Sequence, residues 1–135
     1  LSPVYRTEAV GFAGPAFLNL AAGIHTDWDI LRLDTWLHAL EDTHGRRRDV
    51  PRFSSRTLDI DIVLFGDDIV DGPGNLKVPR PELQHAFVLK PLADIAPERT
   101  VPGLAATLGT LWRQHPDHGS DPWSAGVPVT ELQQA

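Results

Sequence analysis

The chain of 135 residues contains no cysteine and no methionine. Without cysteine, disulfides and thiol chemistry are excluded, which suits a reducing cytosol. No apolar run approaches the ~20 residues that a membrane span needs, and no signal-peptide pattern is present. The cytoplasm is therefore the expected location, and no membrane partner is expected. Basic residues are in deficit, 12 Lys and Arg against 18 Asp and Glu, for a net charge of −6. That balance argues against general nucleic-acid binding. The absence of methionine also bears on the N-terminus. Leu1 is bulky for a residue exposed by initiator removal, and strand-like residues begin at once with LSPVYRT. An N-terminally incomplete chain is expected on these grounds.

What is present is ordinary for a globular protein, with 41% hydrophobic and 22% charged residues. The length allows one domain with a sizeable core. The arginines, however, are unevenly placed. Arg46, Arg47, Arg48, Arg52 and Arg56, five of the ten, fall within eleven residues. A local basic patch on an acidic chain suits capture of a compact anion rather than a long polyanion. Taken alone, such a run is commonly just a solvated loop. Its setting, GRRRDVPRFSSRTLDIDIVLFG, makes it more informative.

In that stretch Leu58, Ile60, Ile62 and Leu64 alternate with Asp59 and Asp61, the period of a half-buried strand over Thr57–Phe65. Both carboxylates then point to one face, roughly 7 Å apart at two residues' rise. Paired carboxylates on a rigid strand suit hard cations such as Mg²⁺. Arginines beside them suit phosphate oxygens. Together they read as a metal–polyphosphate site.

Along the rest of the chain, Leu1–Thr7 reads as extended and 8–15 as a small-residue loop. Phe17–Thr26 reads as a second strand, with Leu18, Leu20, Ala22 and Ile24 on one face and Phe17 and Asn19 on the other. A helix follows, capped by Asp27 or Asp29, with Ile30, Leu33, Leu37 and Leu40 at helical spacing, Trp36 widening the stripe, and Gly45 as the stop. Leu76–Val78 suits a short strand, 80–85 a turn or short helix, and Phe87–Ala96 a helix interrupted by Pro91. Leu104–Arg113 reads as a last helix. The segment from Pro116, rich in Gly, Pro, Ser and Asp, is expected to lie loosely on the surface.

The runs RFSSRTLDIDIVLFG and VPRPELQHAFVLKPLADIAP, preceded by SPVYRT, FLN and LEDTHGR, resemble the 6-hydroxymethyl-7,8-dihydropterin pyrophosphokinases of folate biosynthesis, over Ser2 to Pro97. The resemblance implies an α+β, ferredoxin-like βαββαβ sandwich and transfer of diphosphate from ATP, the co-substrate, to the pterin hydroxymethyl group, leaving AMP. It implies that Asp59 and Asp61 hold two Mg²⁺ ions, and that Arg46 and Arg56 contact the ATP phosphates. By the same resemblance Glu41, His38, Arg80 and His85 lie by the nucleotide. Phe17 and Phe87 stack on the pterin, Asn19 hydrogen-bonds its edge, and Thr7 and Val10 contribute backbone contacts. Phe53 stands where the family usually has tryptophan, in a loop that could close over the substrates.

Two features depart from the family pattern. Many members have His after the VP dipeptide and Arg before AF, where this chain has Arg80 and His85. The family's first strand and helix, with their glycine-serine-asparagine turn, have no counterpart in these residues. The expected organisation is one pyrophosphokinase-like domain over 1–115, N-terminally incomplete, and a loosely packed tail over 116–135. A monomer is expected where the full family fold is present, with small-molecule substrates and no nucleic-acid partner. The alternatives are a Mg²⁺-dependent phosphohydrolase using the same Asp pair and a non-catalytic pterin- or nucleotide-binding fragment.

Overall fold

The computed structural model describes residues 1–7, 17–44, 58–123 and 125–128. Arg46, Arg56, Val10 and Phe53, the expected loops over 8–15 and 46–55, and the Gly45 helix stop lie outside the described residues. Within them the chain is α+β. Strand β1 (Tyr5–Thr7) pairs antiparallel with β2 (Phe17–Asn19), and β3 (Val70–Asp71) pairs antiparallel with β4 (Lys77–Val78). Three helices complete it: α1 (Ile30–Thr43), α2 (Ala86–Ile95) and α3 (Leu108–Arg113). A 3₁₀ turn over Pro81–Gln84 precedes α2. Among the described residues no helix is long and apolar enough to cross a membrane.

Helix α1 starts where an Asp can cap it. The Asp29 side chain accepts from the Arg32 amide at 2.8 Å, satisfying one of the otherwise orphaned first-turn donors. Its buried stripe contains Ile30 and Leu33, with Leu37 half-buried. Trp36, expected to widen that stripe, is instead exposed and packs edge-on against Trp28, centroids 6.0 Å apart. In α2, Pro91 is accommodated inside the helix and buried, although it removes the amide that would bond four residues back.

The apolar residues gather in two clusters. One joins Tyr5 to Leu83, Ala86, Leu89 and Ala93 around α2, and to Val101, Leu108, Trp112 and Trp123. The other packs Ile30 and Leu33 of α1 against Ile62 and against Leu76 and Val78 of the β3–β4 hairpin. This smaller cluster lies directly beneath the aspartate segment.

Three expectations need correction. The strand expected over Phe17–Thr26 ends at Asn19, and Leu18, Leu20 and Ile24 are exposed, Leu18 by 65%. Beyond β2 the Ser2 amide donates to the Ala21 carbonyl, and the Ala21 amide donates to the Ser2 hydroxyl, both at 2.8 Å. Residues 58–65 join no strand ladder among the described residues, although burial alternates over 58–62 as a strand's would. The segment after Pro116 is anchored rather than loose in its described part. Trp123 is buried against Tyr5, and Val127 exchanges backbone hydrogen bonds with Val4 at 2.8 and 3.0 Å. A Cβ at Gly126 would come within 2.8 Å of the Tyr5 ring, so only glycine permits that approach.

Candidate functional site

Asp59 and Asp61 are both exposed, whereas Ile62 is buried in the smaller apolar cluster and Ile60 is half-buried. The alternation anchors the run by its apolar side and presents both carboxylates to solvent on the other. Two further contacts fix it. The buried Glu41 carboxylate of α1 accepts from the Ile60 amide at 2.7 Å, and the Arg80 amide donates to the Val63 carbonyl at 3.0 Å. Gly66 then turns the chain, with the Asp68 amide donating back to the Phe65 carbonyl at 3.0 Å.

Arg80 follows β4 and places Nη2 3.2 Å from Asp61 Oδ1. Its Nε lies 3.4 Å from Glu82 Oε2, yet it is buried with no hydrogen-bond partner among the described residues. An unsatisfied donor on a guanidinium is costly unless an acceptor completes it. Arg80, Lys77 and Glu82 line an open cleft of about 390 Å³ together with Asp71, Asn75 and Leu76. Two cations, Arg80 and Lys77, thus stand at this cleft, and Arg80 joins it to Asp61, which with Asp59 lies outside its lining. Asp59 and Asp61 offer the oxygen donors that Mg²⁺ prefers. Two carboxylates suffice for an ion that retains waters and takes phosphate oxygens as its remaining ligands. The donor set therefore fits the metal implied by the sequence.

A second set of expected residues lies on β1, β2 and α2. Thr7 pairs with Phe17 across the β1–β2 ladder, and Asn19 Nδ2 donates to Thr7 Oγ1 at 2.9 Å. Phe17 is 43% exposed and Phe87, on α2, 44% exposed. Strand β2 and helix α2 touch. Half-exposed rings on adjoining elements, with an amide at their edge, can hold a planar heterocycle. Phe87 stacks on His85, planes 8° apart and centroids 5.2 Å apart. His38 pairs with Asp34, one turn back on its own helix, at 3.8 Å and remains largely exposed. His115, one of two tail histidines at i, i+3 spacing, uses both ring nitrogens: Nε2 meets the Gln84 carbonyl at 2.9 Å, and Nδ1 accepts from the Asp117 amide at 3.0 Å.

Sequence reasoning missed three participants. Lys77 and Glu82 flank Arg80 at the cleft, and their spacing around the VPRP run was the available signal. The third is a network that joins β1 to α2. The Tyr5 hydroxyl donates to Asp94 at 2.5 Å, and Lys90 Nζ donates to the other oxygen of Asp94 at 2.5 Å. Burial, then the Asp94 hydrogen bond, raises the Tyr5 phenol above its ordinary 10.0. Burial disfavours the Lys90 ammonium, but hydrogen bonds with Asp94 and Tyr5 outweigh it and raise Lys90 above its ordinary 10.5. Tyr5 and Asp94 are 89 residues apart, a separation that no local pattern reveals.

The described elements define a small α+β domain that carries an open cleft lined by both acidic and basic residues. Comparison with known proteins gives this class a family. The family model described as 7,8-dihydro-6-hydroxymethylpterin-pyrophosphokinase matches residues 1–97, and the chain belongs to that family. A curated relative named 2-amino-4-hydroxy-6-hydroxymethyldihydropteridine pyrophosphokinase from Pseudomonas aeruginosa is 45% identical over 104 residues, covering 76% of this chain and 63% of the relative. The Bacillus subtilis protein of the same name is 38% identical over 97 residues, covering 70% of this chain and 57% of its own length. The one from Synechocystis is 33% identical over 111 residues, with 82% and 56% covered. The chain thus spans less than two thirds of the length of these relatives.

Proposed function

We propose that this chain carries the machinery for transferring diphosphate from MgATP to 6-hydroxymethyl-7,8-dihydropterin, with release of AMP, in folate biosynthesis. The observation that carries the proposal is the pairing of Arg80 with Asp61 at 3.2 Å, beside exposed Asp59, on a run pinned at Ile60 and Val63. Support also comes from the family membership and from the half-exposed Phe17 and Phe87 around Asn19. The proposed frame is the ferredoxin-like βαββαβ sandwich, and the proposed setting is the cytosol.

The pterin ring is held between Phe17 and Phe87, with its polar edge on Asn19 and on backbone near Thr7 and Val10. Its hydroxymethyl oxygen attacks the β-phosphorus of ATP, the bond from that phosphorus to the AMP oxygen breaks, and the hydroxyl proton leaves to solvent or a phosphate oxygen. Asp59 and Asp61 would hold the divalent cations, two in this reading. When bound, Mg²⁺ neutralises the phosphate oxygens and aligns the reacting groups. Arg46, Arg56 and Arg80 grip phosphate oxygens with planar forks that lysine cannot match. His38 and His85 complete the nucleotide side.

Incubation with ATP, Mg²⁺ and the pterin, followed by product identification, tests the proposal. AMP and pterin diphosphate in equal amounts are expected. Inorganic phosphate without pterin diphosphate would identify a hydrolase, and ligand binding without AMP a binding module.

A further inference from the structure

Glu41 is 2% exposed, and with Ser2 it makes up the buried polar residues of the described chain. A carboxylate buried this deeply is costly unless hydrogen bonds stabilise its charge. Oε2 meets that need at 2.7 Å, and its donor is the backbone amide of Ile60. That amide belongs to the peptide joining Asp59 to Ile60, and Ile60 is the one residue separating the two exposed carboxylates. A charge-assisted hydrogen bond to it fixes the peptide plane between Asp59 and Ile60, and with it the direction of the Asp59 side chain and the pleat that carries Asp61. The second pin, Arg80 amide to Val63 carbonyl at 3.0 Å, holds the other end of the same short stretch. Residues 58–65 join no strand ladder among the described residues, and these two contacts hold backbone groups that a ladder ordinarily would.

We infer that Glu41 is a positioning residue, setting the spacing and direction of the Asp59–Asp61 pair through the Ile60 amide rather than by touching nucleotide or metal. The inference rests on the proposed reading of that pair as a divalent-cation site. It makes Glu41 distinct from the nucleotide contact implied by the family resemblance. Geometry, not charge, is then its contribution.

Two conservative variants separate the possibilities. Glu41→Gln keeps the side-chain length and an acceptor oxygen but loses the charge. Glu41→Asp keeps the charge but is one methylene too short to reach Ile60. The measurement is Mn²⁺ affinity of the folded chain with α,β-methylene-ATP, followed by the Mn²⁺ electron paramagnetic resonance signal. Thermal unfolding verifies folding, and hydrogen exchange at the Ile60 amide reads the bond itself. Glu41→Gln is expected to bind Mn²⁺ within about 3-fold of wild type, and Glu41→Asp about 10-fold more weakly with faster Ile60 exchange. The half-saturating Mg²⁺ of the transfer reaction should rise in the same order. Wild-type affinity in both variants, or a loss confined to Glu41→Gln, overturns the positioning role while leaving the cation site intact. No Mn²⁺ binding by wild type itself, with nucleotide present, overturns the cation-site reading and the inference together.

Discussion

The aspartate face and the aromatic face of this domain are held by different means. Around Asp59 and Asp61 the backbone is pinned by Glu41 and Arg80 and seated on Ile62, Ile30, Leu33 and the β3–β4 hairpin. Around Phe17 and Phe87 the strands are short and the rings are near half-exposed, and the elements that carry or pair with them are tied by a side-chain network, Tyr5–Asp94–Lys90. Under the proposed function, the contrast follows from the ligand assigned to each face. Charge stabilisation of a phosphoryl group depends on fixed positions, because preorganised groups do not reorganise during reaction. A flat heterocycle requires open ring surface, which its own binding then buries.

The contrast breaks most sharply at the carboxylates. Asp61→Ala and Asp59→Ala should each lower turnover by about a thousandfold or more. Pterin affinity measured by fluorescence should change by no more than about 2-fold, since ring contacts are untouched. Comparable losses in pterin binding would mean that the two faces are not separate. Next comes Arg80→Lys, expected to raise the KM for ATP about 10-fold, because an ammonium cannot reproduce the planar fork toward Asp61 and phosphate. Phe87→Ala should weaken pterin binding by about 5- to 10-fold while nucleotide affinity holds.

The smallest effect concerns pH. Tyr5 and Lys90 both have raised pKa values in the folded state. The folded chain therefore holds their protons more firmly than the unfolded chain. Their stabilisation is fully present below the ordinary values of 10.0 and 10.5 and is lost as pH rises through the folded values. Thermal midpoints should fall above pH 10. Asp94→Asn should lower stability by about 1–2 kcal/mol at neutral pH and flatten that alkaline decline.

Local periodicity made much of this legible. The Asp29 cap, the α1 stripe, the turn after Pro79 and the outward aspect of Asp59 and Asp61 all follow from residue type and spacing. Strand extent did not, because alternation shows which face is apolar but not whether a neighbouring strand supplies hydrogen bonds. Leu18, Leu20 and Ile24 illustrate this: their pattern suits a strand, yet they are exposed. Trp123 was hidden by its polar, Gly- and Pro-rich surroundings, and its burial against Tyr5 depends on packing between distant parts of the chain. Glu41 was visible as a helical carboxylate, but its acceptance of the Ile60 amide required the tertiary arrangement of α1 and the aspartate run.

Paramagnetic broadening of backbone amides by Mn²⁺, titrated into the labelled chain with α,β-methylene-ATP, tests the central claim most directly. The expected result is that signals of Asp59, Ile60, Asp61 and Arg80 vanish first, with those of α3 unaffected, and that Asp61→Ala abolishes the effect. Unchanged signals at those four residues, with broadening elsewhere on the domain, would contradict it.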